Sequence, residues 1–257
     1  MIVLLTNDDG IYAEGIQTMG EKLQGDTSID LYVVAPDHEQ SATGHSITMH
    51  RPLRTEAVNF YHNPDLKGWS VNGTPADCVK LAVEYLLPKK PDLVISGINN
   101  GSNLGSDILY SGTVSAAIEA IILGVPALAV SLTEHANSDF HFAADFTHKL
   151  VGVIGKNNLP KNTLLNINIP GTRREDIAGI AVTRQGIRQY RNAFQERTDP
   201  RGKNYFWLAG EVVDTFHDDE DTDVAAIHNS FISITPLHYD LTNFKLLDTL
   251  KSIKWDF

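Results

Sequence analysis

Five short apolar runs, spaced along the first two-thirds of a 257-residue chain, constrain its fold more than any other feature. They cover residues 2–5, 31–35, 93–96, 127–132 and 164–169. Each is too short for a helix and too continuous for a half-solvated strand, so each reads as a strand buried on both faces. Helical patterns lie between them, over 14–23, 76–87 and 113–123. Parallel neighbours need long crossovers, so this alternation predicts an α/β fold with a mostly parallel sheet flanked by helices.

The 113–123 segment is the clearest helix. Val114, Ala117, Ile118, Ile121 and Ile122 share one face, and Gly124 and Pro126 stop the element. Thr74-Pro75 opens another, with Thr as a cap, Pro suited to the first turn and Asp77 at the positive end of the dipole. From about Thr183 the alternation ceases. Residues 205–208 and 231–235 read as strands, and Arg184, Arg188, Arg191, Arg197 and Arg201 share a polar stretch. The expected organisation is one domain over 1–257, with a core to about 180 and a β-rich extension from about 181, an arm or an oligomer contact. The acidic run Asp218-Asp219-Glu220-Asp221, with Asp223, reads as a solvated loop.

Composition narrows the function. A net charge of −11 opposes binding to a nucleic-acid polymer, whose affinity comes from cations on its phosphates. A small anion is still admissible, because one metal ion and a few aimed N–H groups reverse a local potential. The single cysteine, Cys78, sits in an apolar helical run and reads as a buried structural residue. One cysteine cannot form an internal disulfide, and no secretory leader or membrane span is visible, so a cytoplasmic protein without membrane contact is expected.

In parallel sheets, ligands bind beyond the carboxyl ends of the strands. The first strand is followed by Asn7, Asp8, Asp9 and Gly10, and the second by Asp37 and a loop with Ser41, Thr43, Gly44 and His45. The third is followed by Gly97, Asn99, Asn100, Gly101, Asn103 and Gly105, and Ser111-Gly112-Thr113 then opens the best helix. Adjacent carboxylates repel unless a cation lies between them. With no His or Cys cluster nearby, oxygen donors suit a hard ion, Mg²⁺ or Mn²⁺, to which Ser41 and Asn99 add neutral oxygens. Free N–H groups at the helix start receive phosphate, and the 100–105 loop wraps the same anion. Taken singly, Asp-Gly is also an ordinary turn, Ser and Thr are ordinary caps, and Asn99 and Asn103 are ordinary turn residues. The histidines show no metal-ligand rhythm, and there is neither a Walker A pattern nor a GxGxxG after the first strand.

These residues bear a resemblance. Residues 4–11 (LLTNDDGI), 33–37 (VVAPD) with Gln40-Ser41 and 44–48 (GHSIT), 72–79 (NGTPADCV), 91–99 (PDLVISGIN) and 110–114 (YSGTV) are similar, in order, to the motifs of the SurE (survival protein E) nucleotidases. Residues 199–202 (DPRG) and 233–237 (SITPL) extend the match. The resemblance implies a Rossmann-like core with a β-rich extension used in homodimers or homotetramers. It implies hydrolysis of nucleoside 5′-monophosphates, often of 3′-monophosphates and sometimes of short polyphosphate, with one divalent cation per subunit. Residue by residue, it places metal ligands at Asp8, Asp9, Ser41 and Asn99, and phosphate contacts at Asn103, Ser111, Gly112 and Thr113. Asp8, Asp9 and Asn103 carry the catalysis, with Asp8 assigned to water activation. Ala42 and Ala120 stand where many members have glycine. Two rivals fit less well: the Asp-x-Asp of haloacid-dehalogenase-type phosphatases is not matched by Asn7-Asp8-Asp9, and a receiver domain needs an aspartate after the third strand. A non-catalytic nucleotide or metal sensor is a further alternative, and an assembly protein with a dormant site is harder to sustain because every matched ligand is intact.

Overall fold

A computed structural model describes residues 1–60, 63–133, 139–157, 160, 162–191, 194–213 and 220–255. The chain begins β1 (Ile2–Thr6), α1 (Glu14–Gln24), β2 (Asp30–Pro36), then an edge hairpin of β3 (Thr55–Phe60) and β4 (Asn63–Val71). It continues α2 (Pro75–Leu81), β5 (Leu93–Asn100), α3 (Gly112–Ile122), β6 (Ala127–Leu132), α4 (Phe140–Asn157), β7 (Leu164–Ile169) and β8 (Gly179–Val182). Two small hairpin pairs follow from β9 (Gln189–Arg191), β10 (Phe194–Thr198), β11 (Asn204–Leu208) and β12 (Glu211–Val213), and then α5 (Asp223–His228), β13 (Phe231–Leu237) and α6 (Phe244–Lys251).

The main sheet has nine strands in the order β3-β4-β2-β1-β5-β6-β7-β13-β8. Strands β4, β2, β1, β5, β6 and β7 run parallel, while β3 and β13 are antiparallel to their neighbours β4 and β7. The chain steps from β1 to β2 on one side and returns to β5 on the other. The crevice at the carboxyl ends of β1 and β5 is therefore a topological switch point, where open α/β sheets bind ligands.

Each face of the sheet buries its own apolar layer. Val3, Leu5, Val33, Ile95, Val130 and Ile167 pack with α1 and α4, and Leu4, Val34, Val94, Ala129 and Leu164 pack with α2 and α3. Thr74 caps α2 as expected, accepting from the Asp77 N–H at 3.1 Å while Asp77 accepts the Thr74 N–H at 2.9 Å. Cys78 is fully buried in this layer, and burial pushes its thiol pKa well up, as a structural residue requires.

Three features depart from the expected plan. Helix α4 is unheralded: its aromatic residues and two glycines are poor helix formers, and packing on α1 supplies what propensity does not. Helical elements also continue after Thr183, in α5 and α6, and β13 lies inside the main sheet between β7 and β8. The acidic run is not uniformly solvated. Asp221 is exposed and pairs with Arg184 at 2.9 Å, whereas Asp223 is fully buried. Asp218, Asp219 and His217 lie outside the described residues. Among the described residues, no helix is long and apolar enough to cross a membrane.

Candidate active site

The site begins with a change of polarity along one face of the sheet. On the α3 side, the inner strands are apolar at their amino ends and polar at their carboxyl ends. Leu4, Val94, Ala129 and Leu164 give way to Thr6, Ser96, Ser131, Asn166 and Asn168, all fully buried. Burying so many polar groups costs free energy unless partners are supplied, so their placement marks where chemistry rather than packing has set the sequence.

Asp8 sits beyond β1 and is almost wholly buried. It accepts a 2.6 Å hydrogen bond from the Thr113 hydroxyl, and a bond from the Thr113 backbone N–H also favours its ionised form. Burial outweighs both, and with the neighbouring Asp9 charge it pushes the Asp8 pKa up to about 6. Asp9 is raised as well, by burial first and then by the charge of Glu39, against a 3.1 Å bond from the Asn100 N–H. Neither carboxylate forms an ion pair with a described cationic side chain.

The other expected ligands reach this edge through backbone contacts. The Gln40 N–H donates to the Asp8 carbonyl at 2.8 Å and brings Ser41 to the end of β1. Ser41 itself is exposed, with its hydroxyl donating to Glu39. Between Ser96 and Asn99, β5 advances three residues while β6 advances two, from Ala129 to Ser131. That bulge turns Asn99 and Asn100 towards Asp9. Asn99 donates its side-chain N–H to the Gly101 carbonyl at 2.8 Å, which fixes the orientation of its amide.

The start of α3 forms the far wall. Ser111 caps the helix, accepting from the Val114 N–H at 3.1 Å. A Cβ on Gly112 would lie 2.7 Å from the Asp8 Cβ, so glycine is required here for the helix to close on the carboxylate. The structure thus gives Gly112 a steric role beside the ligand approach expected from sequence, and it commits part of the positive helix end to Asp8. Asn103, also buried, donates its side-chain nitrogen to Ser131 Oγ at 2.8 Å and to Thr113 Oγ1 at 3.3 Å.

Asp8, Gly112, Thr113 and Asn103 are therefore in direct contact, and Asp9, Ser41, Asn99 and Ser111 border them. Among the described residues no group of three His, Cys, Asp or Glu side chains converges anywhere. A soft or nitrogen-preferring metal has no donor set. Two carboxylates with raised pKa, no cationic partner among the described residues and neutral oxygens beside them do fit a hard divalent ion that retains water.

A family model described as "Survival protein SurE" matches residues 3–192. The chain belongs to the SurE family. It is 56% identical over 255 residues to the 5′-nucleotidase SurE of Pelotomaculum thermopropionicum, covering 98% of this chain and 95% of that one. It is 55% identical over 254 residues to the 5′-nucleotidase SurE of Carboxydothermus hydrogenoformans, covering 98% and 96%. The crystal structure of the SurE protein from Aquifex aeolicus superposes with a TM-score of 0.83 at 43% identity, covering 98% of each chain.

Several residues of this SurE site escape a reading of motifs. Glu39 is close enough to Asp9 to raise its pKa. Ser131, Asn166 and Asn168 look like interruptions of apolar strands. The available signal was polar residues at i and i+2 on one face of an otherwise apolar run.

His45 serves the site indirectly. Its Nε2 lies 2.9 Å from a carboxylate oxygen of the buried Glu119 on α3, and the Gly44 N–H donates to the Tyr110 carbonyl, so the Ser41 loop is fastened to α3.

Proposed function

We propose that this SurE protein is a divalent-cation-dependent phosphomonoesterase that converts nucleoside 5′-monophosphates to nucleoside and inorganic phosphate, with 3′-monophosphates and short polyphosphate as further substrates. The observation that carries this reading is the adjacent pair of buried Asp8 and half-buried Asp9, without a cationic partner among the described residues, against the start of α3. Asp8, Asp9, Ser41 and Asn99 would hold one Mg²⁺ or Mn²⁺. When bound, such an ion neutralises phosphoryl oxygens and makes water more acidic. Ser111, Gly112 and Thr113 receive the phosphate at the helix end, where N–H groups meet anions.

Asn103 contributes through the weaker of its two N–H bonds. The 3.3 Å bond to Thr113 is long and exchangeable, while the 2.8 Å bond to Ser131 anchors the amide. A phosphoryl oxygen replaces Thr113 as acceptor, and the N–H stabilises charge developing on it. Asp8 takes the proton of the attacking water in an in-line displacement, held in place by the Thr113 hydroxyl. Asp9 is mainly a ligand.

The extension serves assembly into a homodimer or homotetramer, acting beside a core that ends near residue 180, and the protein works in the cytoplasm. Its exposed hairpin β10–β11 and helix α6 are the surfaces assigned to that contact.

The test is phosphate release from a panel of nucleoside 5′- and 3′-monophosphates with EDTA, Mg²⁺ or Mn²⁺, beside Asp9→Asn. Metal-restored release that the variant lacks is the expected result. No release from any nucleotide, aryl phosphate or polyphosphate with any metal would replace the enzyme by a binding module.

A further inference from the structure

Asn103 is held by residues that no motif identifies. Its backbone N–H donates to Asn168 Oδ1 at 2.8 Å, and its carbonyl accepts from Asn168 Nδ2 at 3.0 Å and from Asn166 Nδ2 at 2.9 Å. Asn168 thus pairs with the Asn103 backbone as a neighbouring strand would. The amide orientations follow from those bonds, since an N–H needs an acceptor and a carbonyl needs donors. The side chain of Asn103 is anchored separately, by Ser131.

The cost of this arrangement is visible. Asn166, Asn168 and Ser131 are fully buried within strands whose other faces are apolar. Asn166 Oδ1 has no hydrogen-bond partner among the described residues. A buried acceptor left without a donor is unfavourable, and an isosteric leucine would avoid it. What asparagine supplies in return is the N–H to the Asn103 carbonyl.

We propose that Asn166, Asn168 and Ser131 are positioning residues for Asn103. They fix its backbone and one amide proton so that the second proton points at Thr113 Oγ1, the place where a phosphoryl oxygen binds. Thr113 must accept that proton, because its own goes to Asp8. The inference rests on the nucleotidase reading above and adds to it three residues from two strands.

The experiment uses the full chain with saturating Mn²⁺. Asn168→Ala, Ser131→Ala and Asn166→Leu are compared with Asn103→Ala, and Ser131→Ala is combined with Asn103→Ala. The expected result is a roughly 10- to 100-fold fall in kcat for Asn168→Ala and Ser131→Ala, the scale of a misplaced catalytic donor, with Mn²⁺ affinity unchanged. The double variant is expected to be no slower than Asn103→Ala alone. Asn166→Leu should melt no lower than the unaltered protein and still turn over more slowly, a combination that a purely structural role does not produce.

Full kcat in the folded variants, or losses that multiply in the double variant, overturns the proposal. Amide exchange at Asn103, slow in the unaltered protein and fast in Asn168→Ala, reads the clamp without turnover. If no nucleotide is hydrolysed but this exchange pattern holds, the nucleotidase reading fails and the clamp stands. A fast-exchanging Asn103 in the unaltered protein overturns the clamp by itself.

Discussion

The carboxyl edge of the sheet beneath α3 and the hairpin β10–β11 break the same rule in opposite directions. At the edge, Asp8, Asn103, Thr113, Ser131, Asn166 and Asn168 are polar and buried. In the hairpin, Phe194, Phe206, Trp207 and Leu208 are apolar and 60–75% exposed. The buried polar groups are joined by hydrogen bonds, with Asn166 Oδ1 left over, and their geometry is determined within one chain. Among the described residues, the exposed apolar groups of the hairpin pack chiefly against the paired strand of the same hairpin. Buried polar groups gathered at one edge mark chemistry, whereas exposed apolar surface marks a contact completed by another molecule.

The hardest blow to the edge is Asp8→Asn. The side chain still accepts from Thr113 but can no longer take a proton, so kcat should fall by about 10²–10⁴-fold, the usual range for a general base. Full turnover with intact metal affinity would remove Asp8 from that role. The same variant changes stability with the opposite sign. The folded pKa of Asp8, pushed up by burial to about 6, lies above the ordinary aspartate value of 3.8. Its contribution to the metal-free fold is therefore complete below pH 3.8 and is lost as pH rises through 6, about 2–3 kcal/mol in total. Metal-free Asp8→Asn should lack that loss, so denaturant melts at pH 4 and pH 8 should differ less for the variant than for the unaltered protein. Equal slopes would mean that Asp8 is not held in a desolvated site.

Gly112→Ala is next in size. The added carbon has backbone-like neighbours rather than a flexible tip, since Asp8 Cβ lies 2.7 Å and Asp8 Oδ2 2.9 Å away. Either the helix or the carboxylate must shift, and a displacement near 1 Å at the reacting centre costs about 10²-fold in rate. Unchanged kcat would show that the start of α3 moves freely, against the rigid edge described above.

The same contrast explains what could be read from sequence. Strands β6 and β7 are found where the sequence places them, because their apolar residues mark both faces even though Ser131, Asn166 and Asn168 interrupt the runs. Asp8, Asp9 and the start of α3 were legible because each follows an element end at the edge where such sheets bind ligands. Helix α4 was not, since its stability comes from packing rather than propensity. The place of β13 inside the main sheet was not either, because an antiparallel insertion is decided by pairing with β7, about 70 residues earlier. Asn166 and Asn168 were seen only as members of a strand. Their partner Asn103 is 63 and 65 residues away, and nothing local announces it.

The hairpin is tested by Trp207→Ser with Leu208→Ser. Each residue of β11 is exposed, so the strand shows none of the inside–outside alternation of a solvated edge strand. The double change should lower the mass seen by light scattering, while kcat per subunit stays within about threefold, as for distant and independent sites. An unchanged mass would remove the hairpin from the assembly, and a large loss of turnover would tie it to the edge.

The smallest expected effect lies beside the edge, in the Ser41 loop. Ala42 has φ of +55°, in the left-handed region where a Cβ crowds the backbone. The residue is exposed, so no packing is lost when its methyl is removed. Ala42→Gly relieves roughly 1 kcal/mol of backbone strain and returns part of it as extra freedom in the unfolded chain. A net gain of about 0.5 kcal/mol is expected, read as a slightly higher denaturant midpoint at constant slope. The kinetic consequence distinguishes two views of the loop. If strain at Ala42 holds Ser41 in place, the variant gains stability but loses Mn²⁺ affinity. If the loop is held by the Gln40–Asp8 and His45–Glu119 bonds, affinity is unchanged, and that second outcome is expected because both bonds leave position 42 untouched.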